Sequence, residues 1–392
     1  MGMAGALNPR GARRWEPALA FVIVLAVYLA ATPVTGQAYR HFVYMAKAFL
    51  EGHVDLRGLP DHYHDVVRVG GRVYPPFPPV PAVILMPVVA VRGEAADQGR
   101  VGQVLAALAA AVFLAGLGRL GHPPAVRWFG AAALAFGSVL WPSTAIGTTW
   151  FFAQEVVVLA TALIVWEVAG LARPVIVGAL IISAWLTRVS MLPAVPVLAV
   201  MLWSRHRRLR PVAAFLAVNA AGALVYMWYN VLRFGDPLQT GYRLLSYATP
   251  NAVALSEGGF FSLKYLSMHL STMFLQLPEW IARPPFFKPS PWGMSLLLTS
   301  PIIIRLIFTS ADRRRWLGWG ALIASIAVPM VFFFSNGWVQ FGYRYSLDWW
   351  VFALVLVADA LHGSPKPVDY ALLAIGVAVN AGGVYWVKAL GW

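Results

Sequence analysis

The 392 residues carry a formal net charge of +14, are 59% hydrophobic and include only 12% charged residues. Soluble domains carry about 25% charged residues, so this chain could not cover a water-exposed surface. A soluble fold is therefore excluded, and the length is better counted in membrane spans than in domains.

Basic residues occur in short clusters between apolar runs. This clustering is typical of the positive-inside rule for membrane proteins and disfavours binding to nucleic acid. The absence of cysteine excludes disulfides, a thiol nucleophile and thiolate metal sites. The clusters are Arg10, Arg13 and Arg14; Arg205, His206, Arg207, Arg208 and Arg210; and Arg313, Arg314 and Arg315.

The apolar runs predict an all-α polytopic membrane protein with about eleven spans (range 10–13), at roughly 20 residues per span. These spans are expected to form a single integral membrane domain over residues 1–392. The first run is interpreted as an uncleaved span, because it is long for a signal peptide and no clean cleavage site follows. The predicted spans are 17–34, 79–92, 101–118, 128–146, 152–170, 175–203, 211–231, 292–309, 317–335, 346–362 and 369–388.

Three of these runs are ambiguous. The last, 369–388, begins in a proline-rich turn and is only weakly anchored. The run at 79–92 is short and rich in proline, and the run at 175–203 is long enough to tilt or to break at Pro193 and Pro196. A break there would invert the orientation of everything after it.

With the N-terminus in the cytoplasm, the clusters at 205–210 and 313–315 are cytoplasmic, but Arg119, Arg127 and Arg173 fall outside. Two large loops, 36–78 and 232–291, are then extracytoplasmic.

The first loop begins with apolar residues at helical spacing, which predict an amphipathic helix on the membrane surface that ends at Gly52. Gly70-Gly71 predicts a turn, and the following prolines predict an extended segment. The second loop contains FFSLKYLSMHLSTMFLQL, which predicts another interfacial helix, and then a proline-rich stretch.

The first loop concentrates titratable groups beside the membrane, and these could include a general base. A base must reach the proton that it takes, and burial can raise the pKa of a carboxyl group. The alternative is a solvated polar loop. A metal site at His62, His64 and Asp65 is a third interpretation, but no further ligand cluster is evident. The titratable residues are Glu51, Asp55, Asp61, His62, His64 and Asp65.

Ionisable residues inside predicted spans are costly and are candidates for function. Arg188 lies between apolar stretches and must meet a carboxylate, a carbonyl or a phosphate. Arg344 and Asp348 are four residues apart, so they could pair on a helix; alternatively, Arg344 binds an anion in a cavity. The remaining candidates are Glu155, Glu167, Arg305 and Asp359, of which the last three lie near predicted span ends.

Four patches carry a resemblance to a known family. They are Tyr44, Ala46, Leu50 and Gly52 in the loop helix; Gly71, Arg72, Tyr74, Pro78 and Pro79; YNVLRFGDPLQTGY (229–242); and FGYRYSLDWW (341–350). In this order they resemble the bacterial GT-C membrane glycosyltransferases that use polyprenyl-phosphate sugars, akin to protein mannosyltransferases and aminoarabinose transferases. The absence of a nucleotide-binding motif agrees with a lipid-carried donor.

The resemblance implies a metal-independent, inverting transfer of a sugar from a polyprenyl-phosphate carrier to a glycan, lipid or protein acceptor of the cell envelope. It places the protein in a bacterial plasma membrane, in contact with membrane lipids and without a cofactor. The family places an Asp-Glu pair before the loop helix, whereas this sequence has Ala38 and Tyr39. Asp65 is therefore the replacement base, with Glu51 and His64 as further candidates. Arg344 and Tyr345 would contact the lipid phosphate, and the other predicted substrate-binding residues are Arg40, His41, Arg188, Tyr242, Arg283 and Lys288.

Two alternative functions remain open. A transporter or flippase for a lipid-linked precursor would need a polar path through the membrane, and few mid-span charges or repeats support it. A non-catalytic assembly partner related to the GT-C enzymes would account for the missing Asp-Glu pair.

Overall fold

The computed structural model describes residues 15–32, 39–246, 249–308 and 313–390, so the cluster Arg10, Arg13 and Arg14 and the position of Ala38 lie outside the described residues. Its described part is almost entirely helical. The helices are α1 (Trp15–Ala31), α2 (His41–Leu50), α3 (Val80–Arg92), α4 (Gln98–Arg119), α5 (Pro124–Ala135), α6 (Leu140–Ile146), α7 (Thr149–Ala169), α8 (Pro174–Trp185), α9 (Ala194–His206), α10 (Leu209–Phe234), α11 (Thr249–Gly258), α12 (Leu266–Phe274), α13 (Leu296–Thr299), α14 (Arg313–Met330), α15 (Leu347–Ala360) and α16 (Pro367–Leu390).

Two short antiparallel hairpins complete the structure, β1 (Val67–Val69) with β2 (Arg72–Tyr74) and β3 (Glu279–Trp280) with β4 (Phe287–Lys288). The turn of the first hairpin is Gly70-Gly71, as the sequence predicts. Both glycines have positive φ, the conformation that a two-residue hairpin turn requires.

Five helical segments in the described residues are long and apolar enough to cross a membrane, or six if the bent pair α5 and α6 is one span. The integral membrane assignment therefore stands, but the predicted count of eleven spans is not confirmed. Several predicted spans are short helices, such as α1 and α8, or contain 3₁₀ turns, as at Pro301–Phe308. The five are Gln98–Arg119, Thr149–Ala169, Val189–His206, Leu209–Phe234 and Pro367–Leu390.

Helix α7 defines two ends of the molecule about 31 Å apart, at 1.5 Å per residue. At its first residue, the Thr149 hydroxyl and backbone N–H lie against the Tyr39 carbonyl and against His41 of the first loop. We call this the loop end. At its other end, Glu167 forms an ion pair with Arg173 at 2.8 Å, and we call this the basic end.

Arginines from distant parts of the sequence meet at the basic end. Arg127 pairs with Glu16 at 2.9 Å, and both side chains are buried. Arg315 pairs with Asp359 at 2.8 Å, and one of its nitrogens donates to the Leu120 carbonyl. The cluster at 205–210 joins them, because a His206 ring nitrogen donates to the Ala172 carbonyl at 2.9 Å.

Helix α3, predicted to be a span, does not cross between the two ends. Its first backbone N–H bonds to the Leu186 carbonyl near the loop end. Just after its last turn, Glu94 accepts from Lys47 at 2.6 Å, and its carbonyl accepts from Arg40. The helix has 13 residues, contains Pro87 and packs against α2. An apolar window cannot distinguish such a helix from a short span, because both bury apolar side chains.

The predicted span at 175–203 is broken, and α8 and α9 are separated by residues 186–193. The break brings Arg188 to the loop end, and α9 returns the chain to the basic end at His206. The structure removes the crossing predicted at 79–92 and adds a second crossing within 175–203. The two changes offset each other, so the chain after residue 203 keeps the orientation relative to the N-terminus that the prediction gives it. The prediction puts Arg119, Arg127 and Arg173 on the side opposite the basic clusters. In the structure these three arginines lie at the basic end together with those clusters.

The first-loop helix α2 lies where the amphipathic pattern predicts, but it is buried and does not lie on a surface. Phe42 and Met45 are each 1% exposed and pack in one core cluster with Phe77, Leu85 and Phe152. The helix ends at Leu50, two residues before Gly52, whose φ of 78° is accessible to glycine without steric cost. In the second loop the helical segment is shorter than predicted, with α12 preceded by a 3₁₀ turn at Leu263–Tyr265.

The position of α3 can be tested with single cysteines, because the chain has none of its own. We expect Arg92→Cys to be labelled by a membrane-impermeant maleimide from the same side as His62→Cys, and Arg208→Cys only from the other side. All three residues are exposed. Labelling of Arg92→Cys from the side of Arg208→Cys would show that α3 crosses the membrane.

Candidate functional site at the loop end

The first turns of α7 form one wall of a polar site at the loop end. Trp150 donates its indole N–H to Asp65 at 3.0 Å. Phe151 lies beneath the guanidinium of Arg344, at 4.9 Å from the ring centroid. Gln154, one turn further, donates to the Arg344 backbone carbonyl at 2.8 Å. One helix start therefore positions both the predicted base and the predicted phosphate ligand.

Asp65 is partly buried and lies in a strained backbone conformation. Its φ is +53°, in the left-handed region that non-glycine residues rarely adopt. Burial raises the pKa of the Asp65 carboxyl, and the Trp150 hydrogen bond and the charges of His64 and Arg344 oppose this rise. A carboxyl group with a raised pKa is a better proton acceptor, which suits a general base.

Arg344 is a buried cation with unmet hydrogen-bonding capacity. Its side chain is 7% exposed, and Nε and Nη1 are buried without a hydrogen-bond partner within the part of the chain that the structure describes. Burial lowers the pKa of Arg344, the nearby charge of Arg188 lowers it further, and Asp65 and Asp348 oppose both effects. Buried guanidinium nitrogens without hydrogen-bond partners are costly, and an anion would satisfy them.

Asp348 pairs with Arg188 and leaves Arg344 without the helical partner that the sequence spacing had suggested. Arg188 Nε lies 2.8 and 2.9 Å from the two carboxylate oxygens of Asp348, which is fully buried. Ser190 donates to the same carboxylate at 2.7 Å. Arg344 is in a 3₁₀ turn before α15, so residues 344 and 348 are not on one continuous α-helix.

Tyr345 lies between the two arginines. Its ring centroid is 5.2 Å from the Arg188 guanidinium carbon and 5.4 Å from that of Arg344. Tyr242 is also close enough for its charge state to affect the pKa of Arg188. Asp348 pairs with Arg188, and Asp65 is close enough to raise the pKa of Arg344, but the Nε and Nη1 groups of Arg344 keep hydrogen-bonding capacity for an anion.

The patches that carry the family resemblance meet beside this site. Arg233, at the end of α10, donates to the Pro75 and Phe77 carbonyls of the proline-rich segment and to Asn230. The rings of Tyr74 and Phe234 are 5.7 Å apart. Arg233 thus fixes the first loop against the start of the second.

His41 is placed beside the site but is held as a structural group. It is fully buried, and its ring nitrogens lie 2.9 Å from Thr149 Oγ1 and 2.7 Å from the His64 carbonyl. Burial lowers the pKa of His41 to about 4, so the ring is neutral at pH 7. A carbonyl only accepts, so Nε2 carries the proton and donates it to the His64 carbonyl.

Four other predicted residues lie away from the pair Asp65 and Arg344. Arg40 is used in contacts with Glu94 and Tyr44. Glu51 is at the far end of α2, about 15 Å along the helix from His41, and bonds to His53. Arg283 is exposed in the turn of the β3–β4 hairpin, and Lys288 on its strand pairs with Glu279 at 2.9 Å.

His64 is next to Asp65, with an exposed side chain. The interpretation of His62, His64 and Asp65 as a metal site is not supported. The described residues contain no group of three His, Asp or Glu side chains that could hold a metal ion.

The ionisable residues predicted within spans divide into paired and unpaired groups. Glu167, Arg305 and Asp359 form ion pairs with Arg173, Asp369 and Arg315. Glu155 is fully buried on α7, and neither carboxyl oxygen has a hydrogen-bond partner in the described chain. It lies against Gly102, where an added Cβ would be 1.6 Å from a carboxyl oxygen. Glu155 is thus a second buried polar group without a hydrogen-bond partner in the described chain, on the side of α7 that faces α4.

Comparison with solved structures places this fold beside an archaeal oligosaccharyltransferase. The crystal structure of the Archaeoglobus fulgidus oligosaccharyltransferase in the apo form matches with a TM-score of 0.50 and 11% sequence identity, over 95% of this chain and 56% of that one. The same enzyme tethered to an acceptor peptide gives a TM-score of 0.47 and 12% identity, over 96% and 55% of the two chains. At the level of sequence, no protein-family model and no curated protein matches.

The fold is therefore similar to that of the oligosaccharyltransferase, whereas the mannosyltransferase or aminoarabinose transferase subtype that the sequence resemblance implies is not shown. This chain spans about half the length of the oligosaccharyltransferase.

The two arginines should differ in their effect on stability. We expect Arg188→Met to destabilise the protein by about 3–5 kcal/mol, because Asp348 would remain buried without its cation. Arg344→Met should be neutral or stabilising, because it removes two buried guanidinium nitrogens that lack hydrogen-bond partners in the described chain. Thermal unfolding of both variants in the same detergent tests this. Equal destabilisation would show that Arg344 has a structural partner.

Proposed function

We propose that this protein is a membrane glycosyltransferase of the GT-C type that transfers a sugar from a polyprenyl-phosphate carrier to an acceptor at the loop end. The observation that carries the proposal is Arg344, a buried and unpartnered guanidinium within electrostatic range of Asp65. A phosphate supplies the charge and the hydrogen-bond acceptors that the guanidinium lacks. The GT-C fold supports the same assignment.

In this proposal the cations act on the leaving group. When the bond between the sugar and the phosphate breaks, the lipid phosphate gains negative charge. Arg344 stabilises this charge together with Arg188, and both guanidinium groups lie near the Tyr345 ring. These side chains are already fixed by Phe151, Gln154 and Asp348, so little reorganisation is needed during the reaction.

Asp65 acts as the base. Its carboxylate takes the proton of the acceptor hydroxyl as the acceptor oxygen attacks the anomeric carbon, and the lipid phosphate leaves from the opposite face. One displacement inverts the anomeric centre. No metal is required by this route, because guanidinium groups carry out the charge stabilisation.

The arginines at the basic end predict which end of the protein faces the cytoplasm. Arginine-rich ends lie in the cytoplasm under the positive-inside rule, so the loop end would be extracytoplasmic. An extracytoplasmic enzyme has little access to nucleotide sugars, which favours a lipid-carried donor and a cell-envelope acceptor. We extend the proposal to a bacterial plasma membrane.

A second candidate function is a non-catalytic assembly partner. It is favoured by Tyr39, which occupies a position where the family has a carboxylate. Transferase activity of the purified protein distinguishes the two functions.

Donor binding can be measured by native mass spectrometry of the purified protein with a polyprenyl-phosphate sugar mixture. We expect the wild type to retain a lipid-phosphate species and Arg344→Ala to lose it by on the order of 10²-fold, because a buried charged contact is removed. Arg283→Ala, in the exposed hairpin, is the matched control and should bind as the wild type does. Retention by Arg344→Ala would place the phosphate elsewhere.

The role of Asp65 predicts a pH-dependent rate. Asp65→Asn should lower the transfer rate by about 10²–10⁴-fold, the usual contribution of a general base. The base must be deprotonated, so activity rises with pH through the raised pKa of Asp65.

Trp150→Phe removes a hydrogen bond to the charged carboxylate and should raise that pKa further, moving the acid limb about one pH unit higher. Trp316→Phe, which changes a half-exposed side chain near the start of α14, is the control. An unchanged acid limb in Trp150→Phe, or full activity in Asp65→Asn, would rule out Asp65 as the base.

A further inference from the structure

A second, apolar groove opens between α1, α4 and α7 in the half of the molecule near the basic end. Its volume is about 380 Å³, and its walls include Pro17 and Phe21 of α1, Ala111 and Ala115 of α4, and Trp166 of α7. The alanines leave space that longer side chains would fill. The groove extends about 10 Å along α4, from Leu108 to Ala115, at 1.5 Å per residue.

Positive charge lies at one end of this groove. Arg119, one turn beyond Ala115 on α4, stacks its guanidinium 3.4 Å from the centroid of the Trp166 ring, and Nη1 donates to the Trp166 carbonyl at 3.0 Å. Arg173 is close enough to influence Arg119, and its own partner is Glu167. The three side chains carry two positive charges and one negative charge, so a net charge of +1 remains.

An apolar channel that ends at a positive charge matches the two parts of a phospholipid. The groove is accessible from the apolar surface of helices that the chain places in a membrane, where acyl chains are the surrounding solvent. A phosphate at the depth of Arg119 would lie at the membrane interface, because α4 ends there. Basic pockets between transmembrane helices bind anionic headgroups in this way.

We propose that this groove binds one anionic phospholipid, with an acyl chain along Ala111 and Ala115 and the phosphate at Arg119. The site is at the opposite end of the bundle from Asp65 and Arg344, so it does not depend on the proposed glycosyl transfer. Its ligand would hold α1 against α4 and α7.

The test is native mass spectrometry of the full-length protein, delipidated and then mixed with dioleoyl-phosphatidylglycerol. We expect the wild type to retain one lipid, and Ala115→Phe, which fills the groove, and Arg119→Gln, which removes the charge, each to reduce retention at least five-fold. The matched controls are Ala213→Phe, an exposed alanine on α10, and Arg208→Gln, an exposed basic residue, and both should bind as the wild type does.

Two further ligands separate the parts of the site. Dioleoylglycerol has the same chains without the phosphate, and glycerol phosphate has the phosphate without the chains; we expect neither to be retained. Equal retention of dioleoylglycerol, or undiminished retention of the phospholipid in both Ala115→Phe and Arg119→Gln, would overturn the proposal.

The chain's own N-terminal segment is the competing occupant of the groove. A wild type that binds no phospholipid until residues 1–14 are removed would assign the groove to that segment and would also overturn the proposal. If Ala115→Phe does not fold, Arg119→Gln and the dioleoylglycerol comparison still decide the matter.

Discussion

The ion pair between Arg188 and Asp348 joins two interruptions of the helical chain. Arg188 lies in the break between α8 and α9, and Asp348 lies in the first turn of α15, 160 residues later. In a low-dielectric interior neither charge is stable alone, so each interruption depends on the other. Because Asp348 is committed to Arg188 and Ser190, the Nε and Nη1 groups of Arg344 are left without hydrogen-bond partners among the described residues, close to Asp65.

The site at the loop end is built on this arrangement. The first turns of α7 support Asp65 through Trp150 and support Arg344 through Phe151 and Gln154. Rigid helix starts hold these groups, whereas the strained backbone at Asp65 is retained by the surrounding loop. A carboxyl group with a raised pKa and an unpartnered guanidinium form an acid–base and anion-binding pair, which is what displacement of a lipid phosphate requires.

Local pattern predicts a large part of this structure. Helical spacing locates α2, Gly70-Gly71 locates the hairpin turn, and apolar runs locate the long helices. Pattern alone does not distinguish the helix α3, which does not cross, from a span, since both bury apolar residues, and the predicted count of eleven spans is not confirmed. Arg188 could be selected because a charge within an apolar run is costly, and Asp65 and Arg344 could be selected from the polar loop and the family resemblance. Their arrangement could not, because the partner of Asp348 is remote in sequence, and no local signal marks Trp150 as the donor to Asp65.

The most direct test of the account is an experimental structure of the protein with a polyprenyl monophosphate bound. We predict phosphate oxygens about 3 Å from the Arg344 guanidinium nitrogens, the ordinary hydrogen-bond distance, while the pair between Arg188 and Asp348 stays intact. A phosphate bound elsewhere, with Arg344 still without a partner, would contradict the central claim.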